Sequence, residues 1–225
     1  MEKPSETTID GKRVVVYQSE AANAPIVYSI MHAEAGRAVL EACEGLGCRP
    51  FHLVSLSGLR WDEELSPWPH GPVVSRDDHF AGEADRFARC LTEQIIPPVE
   101  EAIGKPSSRV IAGYSMGGLF ALYAPYRTDA FSGAVSASGS VWYPGFVPYV
   151  EAHDYPKRPD AIYLSLGDLE SRTRHAVLSQ TELCMEKLCA VYRERSIRSV
   201  FELNPGNHFR DPVYRMAKGI AWMLA

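Results

Sequence analysis

The hexapeptide Gly113-Tyr114-Ser115-Met116-Gly117-Gly118 constrains the fold more than any other stretch of the chain. An apolar run, Val110-Ile111-Ala112, leads into it, and Leu119 to Tyr123 reads as the helix that leads out. A serine framed by glycines two residues before and two after fits a sharp strand-to-helix turn. Side chains at the framing positions would collide there, and the turn lifts the serine hydroxyl above the end of a sheet. An ordinary glycine-rich turn is the alternative. The strand and helix signals flank the motif so closely that they favour an exposed nucleophile.

The rest of the sequence supplies the sheet such a turn needs. Strands are expected at residues 12–19, 25–31, 51–56, 109–114, 131–137, 161–166 and 197–203. Helical spacing is expected at residues 36–45, 81–103, 116–124 and 173–195, with Pro97-Pro98 kinking or interrupting the second of these. Asp211-Pro212 reads as an N-cap followed by proline at the first helical position, ahead of a final helix with Val213, Met216, Ala217, Ile220 and Leu224 on its apolar face. Short apolar strands alternating with amphipathic helices indicate an α/β fold, doubly wound around a mostly parallel sheet. No linker or repeat divides the 225 residues, so one domain is expected, preceded by a polar segment at residues 1–11. A long irregular loop at residues 59–80 is a candidate pocket wall.

Composition narrows the partners. With 23 basic and 28 acidic residues the net charge is −5, which gives no electrostatic reason to bind nucleic acid or an anionic membrane. The uncharged stretches 110–126 and 131–150 are punctuated by Gly, Ser or Pro and read as buried strands and turns rather than a membrane span. Cys43, Cys48, Cys90, Cys184 and Cys189 show no metal-binding spacing and read as reduced thiols. The N-terminus lacks the apolar core of a signal peptide, so a cytoplasmic location is expected. Asp77, Asp78 and His79 could hold a metal, but a solvated loop is the simpler reading, and no metal or cofactor is expected.

A serine nucleophile requires a base. With the order serine, acid, histidine, the candidates are His175 and His208. His175 falls within an expected helix. His208 lies in Asn204-Pro205-Gly206-Asn207-His208, between the last strand and last helix, and is preferred. The acid should follow the strand at 161–166, where Gly167-Asp168-Leu169-Glu170 offers two carboxylates. Glu170 is favoured, with Asp168 as the alternative because aspartate so often serves its own turn. The backbone N–H of Met116 is one expected oxyanion donor, and that of Glu34, after the second strand, is the other. Trp61, Trp68 and Trp142 are candidate walls for an acyl or aryl group, and Arg60 a candidate partner for a substrate carboxylate. Each of these has packing or a neighbouring glutamate as its alternative.

The chain resembles the α/β-hydrolase "putative esterase" group, which includes esterase D-like, feruloyl-esterase-type and siderophore-esterase proteins. The likeness rests on residues 113–118, Ala24-Pro25-Ile26-Val27-Tyr28, Leu65-Ser66-Pro67-Trp68, Ser138-Gly139-Ser140-Val141-Trp142-Tyr143 and Gly206-Asn207-His208-Phe209. His32-Ala33 stands where relatives carry His-Gly or Asp-Gly. The resemblance implies hydrolysis of a small-molecule ester without metal or organic cofactor, through Ser115, His208 and an acid, or through a Ser–His pair alone. An acyltransferase on the same scaffold and a non-catalytic binding protein are the rival readings.

Overall fold

The computed structural model describes residues 3–31 and 35–225. The first elements are β1 (Ser5–Ile9), β2 (Lys12–Tyr17), β3 (Ile26–Ile30), α1 (Ala35–Gly45) and β4 (His52–Ser57). The long loop then contributes a short helix, α2 (Trp61–Leu65), and a two-residue hairpin, β5 (Pro69–His70) with β6 (Phe80–Ala81). Next come α3 (Ala84–Cys90), α4 (Ile96–Ile103), β7 (Arg109–Tyr114), α5 (Met116–Tyr123) and β8 (Gly133–Ala137). The chain closes with α6 (Phe146–Ala152), β9 (Ala161–Gly167), α7 (Thr181–Glu194), β10 (Arg198–Asn204) and α8 (Pro212–Leu224).

Eight strands form one sheet in the order β1-β2-β4-β3-β7-β8-β9-β10. β2 runs antiparallel to β1 and β4, and every other pairing is parallel. The strands of the parallel part are near-continuous apolar runs because both their faces are covered. On one face α1 and α8 pack over Val27, Leu53, Val110, Val135 and Tyr163. On the other lie Tyr28, Ile111, Ile162 and Leu164, covered by α3 to α7. α5 is buried along its whole length, as an all-apolar helix must be. β3 is flanked by β4 on one side and β7 on the other, so the winding reverses between them. Ligand sites in open α/β sheets lie at such reversals, beyond the C-terminal strand ends.

Four expectations need correction. The polar segment 1–11 contains an edge strand, β1. Asp10 and Gly11 both take positive φ (47° and 74°) and close the β1–β2 hairpin, so Asp-Gly was the signal to read. The stretch expected as a helix from 81 begins at Ala84. Its α-helical ladder is interrupted ahead of the prolines, as expected, where Leu91–Ile95 widens into a π-helical turn, since the missing N–H and ring of Pro97 do not fit the regular ladder. The helix expected from 173 starts only at Thr181, after a 3-10 turn at Leu178–Gln180. Phe146–Ala152 is a helix where turns were expected. Among the described residues, no helix is long and apolar enough to cross a membrane.

Candidate active site

Three loops at the C-terminal ends of β7, β9 and β10 converge. Ser115 follows β7 directly and sits at φ 58°, ψ −124°, a conformation that non-glycine residues rarely adopt. The glycines around it are there for contact. A Cβ on Gly113 would lie 1.9 Å from the Gly117 carbonyl oxygen, and one on Gly117 would lie 2.7 Å from the Ile30 carbonyl oxygen. Gly118 and Gly139 press together similarly, with a Cβ on Gly118 only 2.8 Å from the Gly139 Cα. Met116 is the first residue of α5, so its N–H has no acceptor within the helix.

His208 lies after β10 with its Nε2 3.2 Å from Ser115 Oγ and its Nδ1 2.7 Å from Glu170 Oε2. The Tyr114 hydroxyl donates to the His208 carbonyl at 2.6 Å and steadies the loop from below. Glu170 is also the acceptor for the Gly167 N–H (2.7 Å), the Ser138 hydroxyl (2.8 Å) and Arg215 Nη1 (2.8 Å), all on Oε1. Burial pushes the Glu170 carboxyl up. The hydrogen bond and charge of His208, with the Gly167 and Ser138 donors, outweigh burial and hold it below the ordinary glutamate value. An ionised Glu170 can only accept, so the proton belongs on Nδ1, and the Nε2 lone pair faces the serine.

Asp168 is placed differently. Its Oδ1 accepts the Gly206 N–H at 2.7 Å, and the neighbouring backbone pairs run Asp168 N–H to Asn204 O and Leu169 N–H to Gly206 O. It fastens the histidine-bearing turn and does not face the imidazole. His175 is half-buried, and its Nδ1 accepts the Leu178 N–H within its own turn.

A cleft of about 560 Å³ opens over Ser115 and His208, with Trp61, Phe80, Trp142, Leu169 and Phe209 among its walls. Two expected pocket residues lie elsewhere. Trp68 donates to the Pro144 carbonyl and packs on Tyr143 and Tyr149, so its ring is consumed by the fold. Arg60 turns to Glu63 in α2 and to Glu83 just ahead of α3. Glu34 lies outside the described residues. In the Asp77-Asp78-His79 run, Asp78 Oδ2 takes the N–H groups of Val73, Val74 and Ser75 and so builds its own loop. All five cysteines are free.

Reasoning from sequence missed Ser138 and Arg215. Ser138 stands at φ 45° in a Ser-Gly-Ser turn that carries the family likeness but no signal of its own for a contact with the acid. Arg215 carried no signal, since one arginine on an amphipathic helix reads as solvent-facing.

The sheet order and the strand–serine–helix turn define an α/β-hydrolase fold. Within it the chain belongs to the "putative esterase" family, whose model matches residues 60–213. Among solved structures it is similar to the siderophore hydrolase EstB from Aspergillus nidulans, 18% identical with a TM-score of 0.76, covering 99% of this chain and 94% of that one. It is also similar to an IroE-like serine hydrolase from Shewanella oneidensis, 14% identical with a TM-score of 0.78, covering 99% and 80%. At these identities the likeness is one of fold. A curated relative, the uncharacterized protein YbbA of Bacillus subtilis (strain 168), is 28% identical over 119 residues, 51% of this chain. The match spans about half (48%) of that relative's length.

Proposed function

We propose that this chain is a serine hydrolase of carboxylic esters, acting through Ser115, His208 and Glu170 and an acyl-enzyme. The observation that carries the reading is the unbroken hydrogen-bonded row from Ser115 Oγ through the imidazole to Glu170, on the floor of the cleft. His208 Nε2 takes the hydroxyl proton as Ser115 Oγ bonds to the ester carbonyl carbon. The carbonyl oxygen becomes an oxyanion and meets the Met116 N–H, with the backbone of Glu34 as the proposed second donor. As the intermediate collapses, the bond to the alcohol oxygen breaks and the imidazolium returns its proton to that oxygen. Water then repeats the sequence on the acyl-enzyme, releasing the acid and restoring Ser115. Glu170 keeps the imidazole in the required tautomer throughout.

The cleft volume suits a small-molecule acyl or aryl ester. Siderophore esters are one candidate class because two fold neighbours are named siderophore hydrolases and another an enterobactin esterase. A panel of acetyl, aryl, feruloyl and macrolactone esters separates these. The decisive experiment is Ser115→Ala. Turnover of p-nitrophenyl acetate is expected to fall by at least about 10³-fold while circular dichroism is unchanged, and His208→Ala should be nearly as damaging because the two act as a unit. A fluorophosphonate adduct should map to Ser115. Retained activity in purified Ser115→Ala would overturn the mechanism.

A further inference from the structure

Arg215 is the largest fully buried side chain of the described residues. It reaches inward from the first turn of α8, with a side chain 1% exposed, and ends beneath the Ser–His–Glu row. Its two terminal nitrogens do different things. Nη1 donates to Glu170 Oε1 at 2.8 Å and to Ser138 Oγ at 2.9 Å. Nη2 donates to the carbonyls of Pro205 (3.0 Å) and Asn207 (2.9 Å), the residues on either side of Gly206 in the turn leading to His208. One planar group is therefore bonded at once to the acid and to the loop that carries the base. Space is kept for it by Gly167, where a Cβ would lie 2.8 and 2.9 Å from the two nitrogens.

The arrangement is costly as a stabilising device. A buried ion pair gains little net stability over apolar residues of similar volume, because both charges must leave water. Arg215 Nε finds no partner, which adds to the cost. What the fork supplies is geometry. Glu170 has two oxygens, and Oε1 is fixed by Gly167, Ser138 and Arg215, which aims Oε2 at His208 Nδ1. The same guanidinium fixes the height of the His208 loop relative to that carboxylate. Lysine could supply the charge but not a rigid two-ended fork.

We propose that Arg215 is a positioning residue for the reaction, setting the Glu170–His208 contact by holding the acid and the histidine loop with one guanidinium. It touches neither substrate nor the reacting atoms. The inference rests on the esterase reading given above, and its test includes a signal that does not depend on turnover. Among the ionisable groups facing this cluster are Tyr114 from β7 and His208 itself.

The experiment is a double-mutant cycle with Arg215→Gln and Glu170→Gln, with rates normalised to fluorophosphonate-titrated sites. If Arg215 works through Glu170, Arg215→Gln lowers kcat by about 10- to 100-fold with KM within about twofold, as expected for a misplaced catalytic group. In the Glu170→Gln background the same substitution costs less than about threefold. A downfield proton NMR signal is expected from His208 Nδ1–H in the wild type, and it should be lost or broadened in Arg215→Gln. Where Arg215→Gln fails to fold, Arg215→Lys is measured in its place. It keeps the charge, is expected to show a smaller kcat loss, and must show the same non-additivity. A kcat per titrated site within about threefold of wild type, losses that multiply across the cycle, or an unchanged Nδ1–H signal would each overturn the proposal. Failure of the esterase reading looks different, since Ser115→Ala would then remain active whatever the cycle shows.

Discussion

Asp168 and Glu170 stand two residues apart in one turn and do different work. Asp168 bonds the Gly206 N–H, and Glu170 bonds the imidazole. Glu170→Gln is therefore expected to lower kcat by about 10²- to 10⁴-fold, since the amide no longer fixes the tautomer or offsets the imidazolium charge. It should also lower the melting temperature, because Arg215 is left buried without its counter-charge. Asp168→Asn should keep kcat within about threefold while loosening the turn. Steady-state kinetics and thermal melts on the two variants check both statements; an inactive but stable Asp168→Asn would move the acid to Asp168. At this scale the juxtaposition of Ser115, His208 and Glu170 was legible because residue type, order in the chain and place after a strand coincided; their catalytic roles are the proposal made above. The sequence was silent on Arg215 and Ser138, whose shared partner Glu170 lies 45 and 32 residues from them along the chain. Trp68 and Arg60 show the opposite failure. Membership of the right loop does not say which way a side chain turns.

Among the elements, the β7–α5 junction has the least room. The Gly113 position admits no side chain, since a Cβ there falls 1.9 Å from a backbone oxygen that α5 cannot withdraw without unwinding. Gly113→Ala is expected to cost at least about 3 kcal/mol, read as a lowered denaturation midpoint. Gly45→Ala at the end of α1 meets nothing within 4 Å and serves as the control, neutral or stabilising by up to about 1 kcal/mol. Element existence was largely readable because period and punctuation agree in most segments. The exceptions have local causes. β1 is polar and exposed on nearly every residue, so it shows no apolar alternation and forms because Asp10-Gly11 turns the chain back along β2. The π turn absorbs two prolines that period alone would treat as a stop.

For the molecule as a whole, two buried acids, Glu170 and Glu64, contribute to the response to pH. Burial raises Glu170 and Glu64, but Glu170 is lowered by His208, Gly167 and Ser138, and Glu64 by Lys12 and Arg60. Both end below the ordinary glutamate value. A carboxylate whose folded pKa lies below its unfolded one adds stability above the unfolded value, near about 4.3, and loses it as pH falls toward the folded one. The melting temperature should change little from these two groups between pH 7 and about 5 and then decline on further acidification. Replacing Glu64 by Gln should flatten part of that decline, and a decline of unaltered steepness would remove Glu64 from the account. The sheet order was not spelled out in the sequence, which shows strands but not which lie side by side. Only the reversal between β3 and β7 puts Ser115 where the β9 and β10 loops can reach it.

The segment from Trp61 to Phe80 lends Trp61, Asp62, Val74, Asp78 and Phe80 to the cleft and nothing to the Ser–His–Glu row. The proposed Ser–His–Glu row comes from residues 115–208, a stretch that also supplies Trp142 and Leu169 to the cleft wall. One part of the cleft wall and the proposed chemistry of cleavage are thus inherited through separate stretches of the gene. A lineage, or an engineer, can rewrite the first and diversify what is cut while leaving untouched the machinery that cuts.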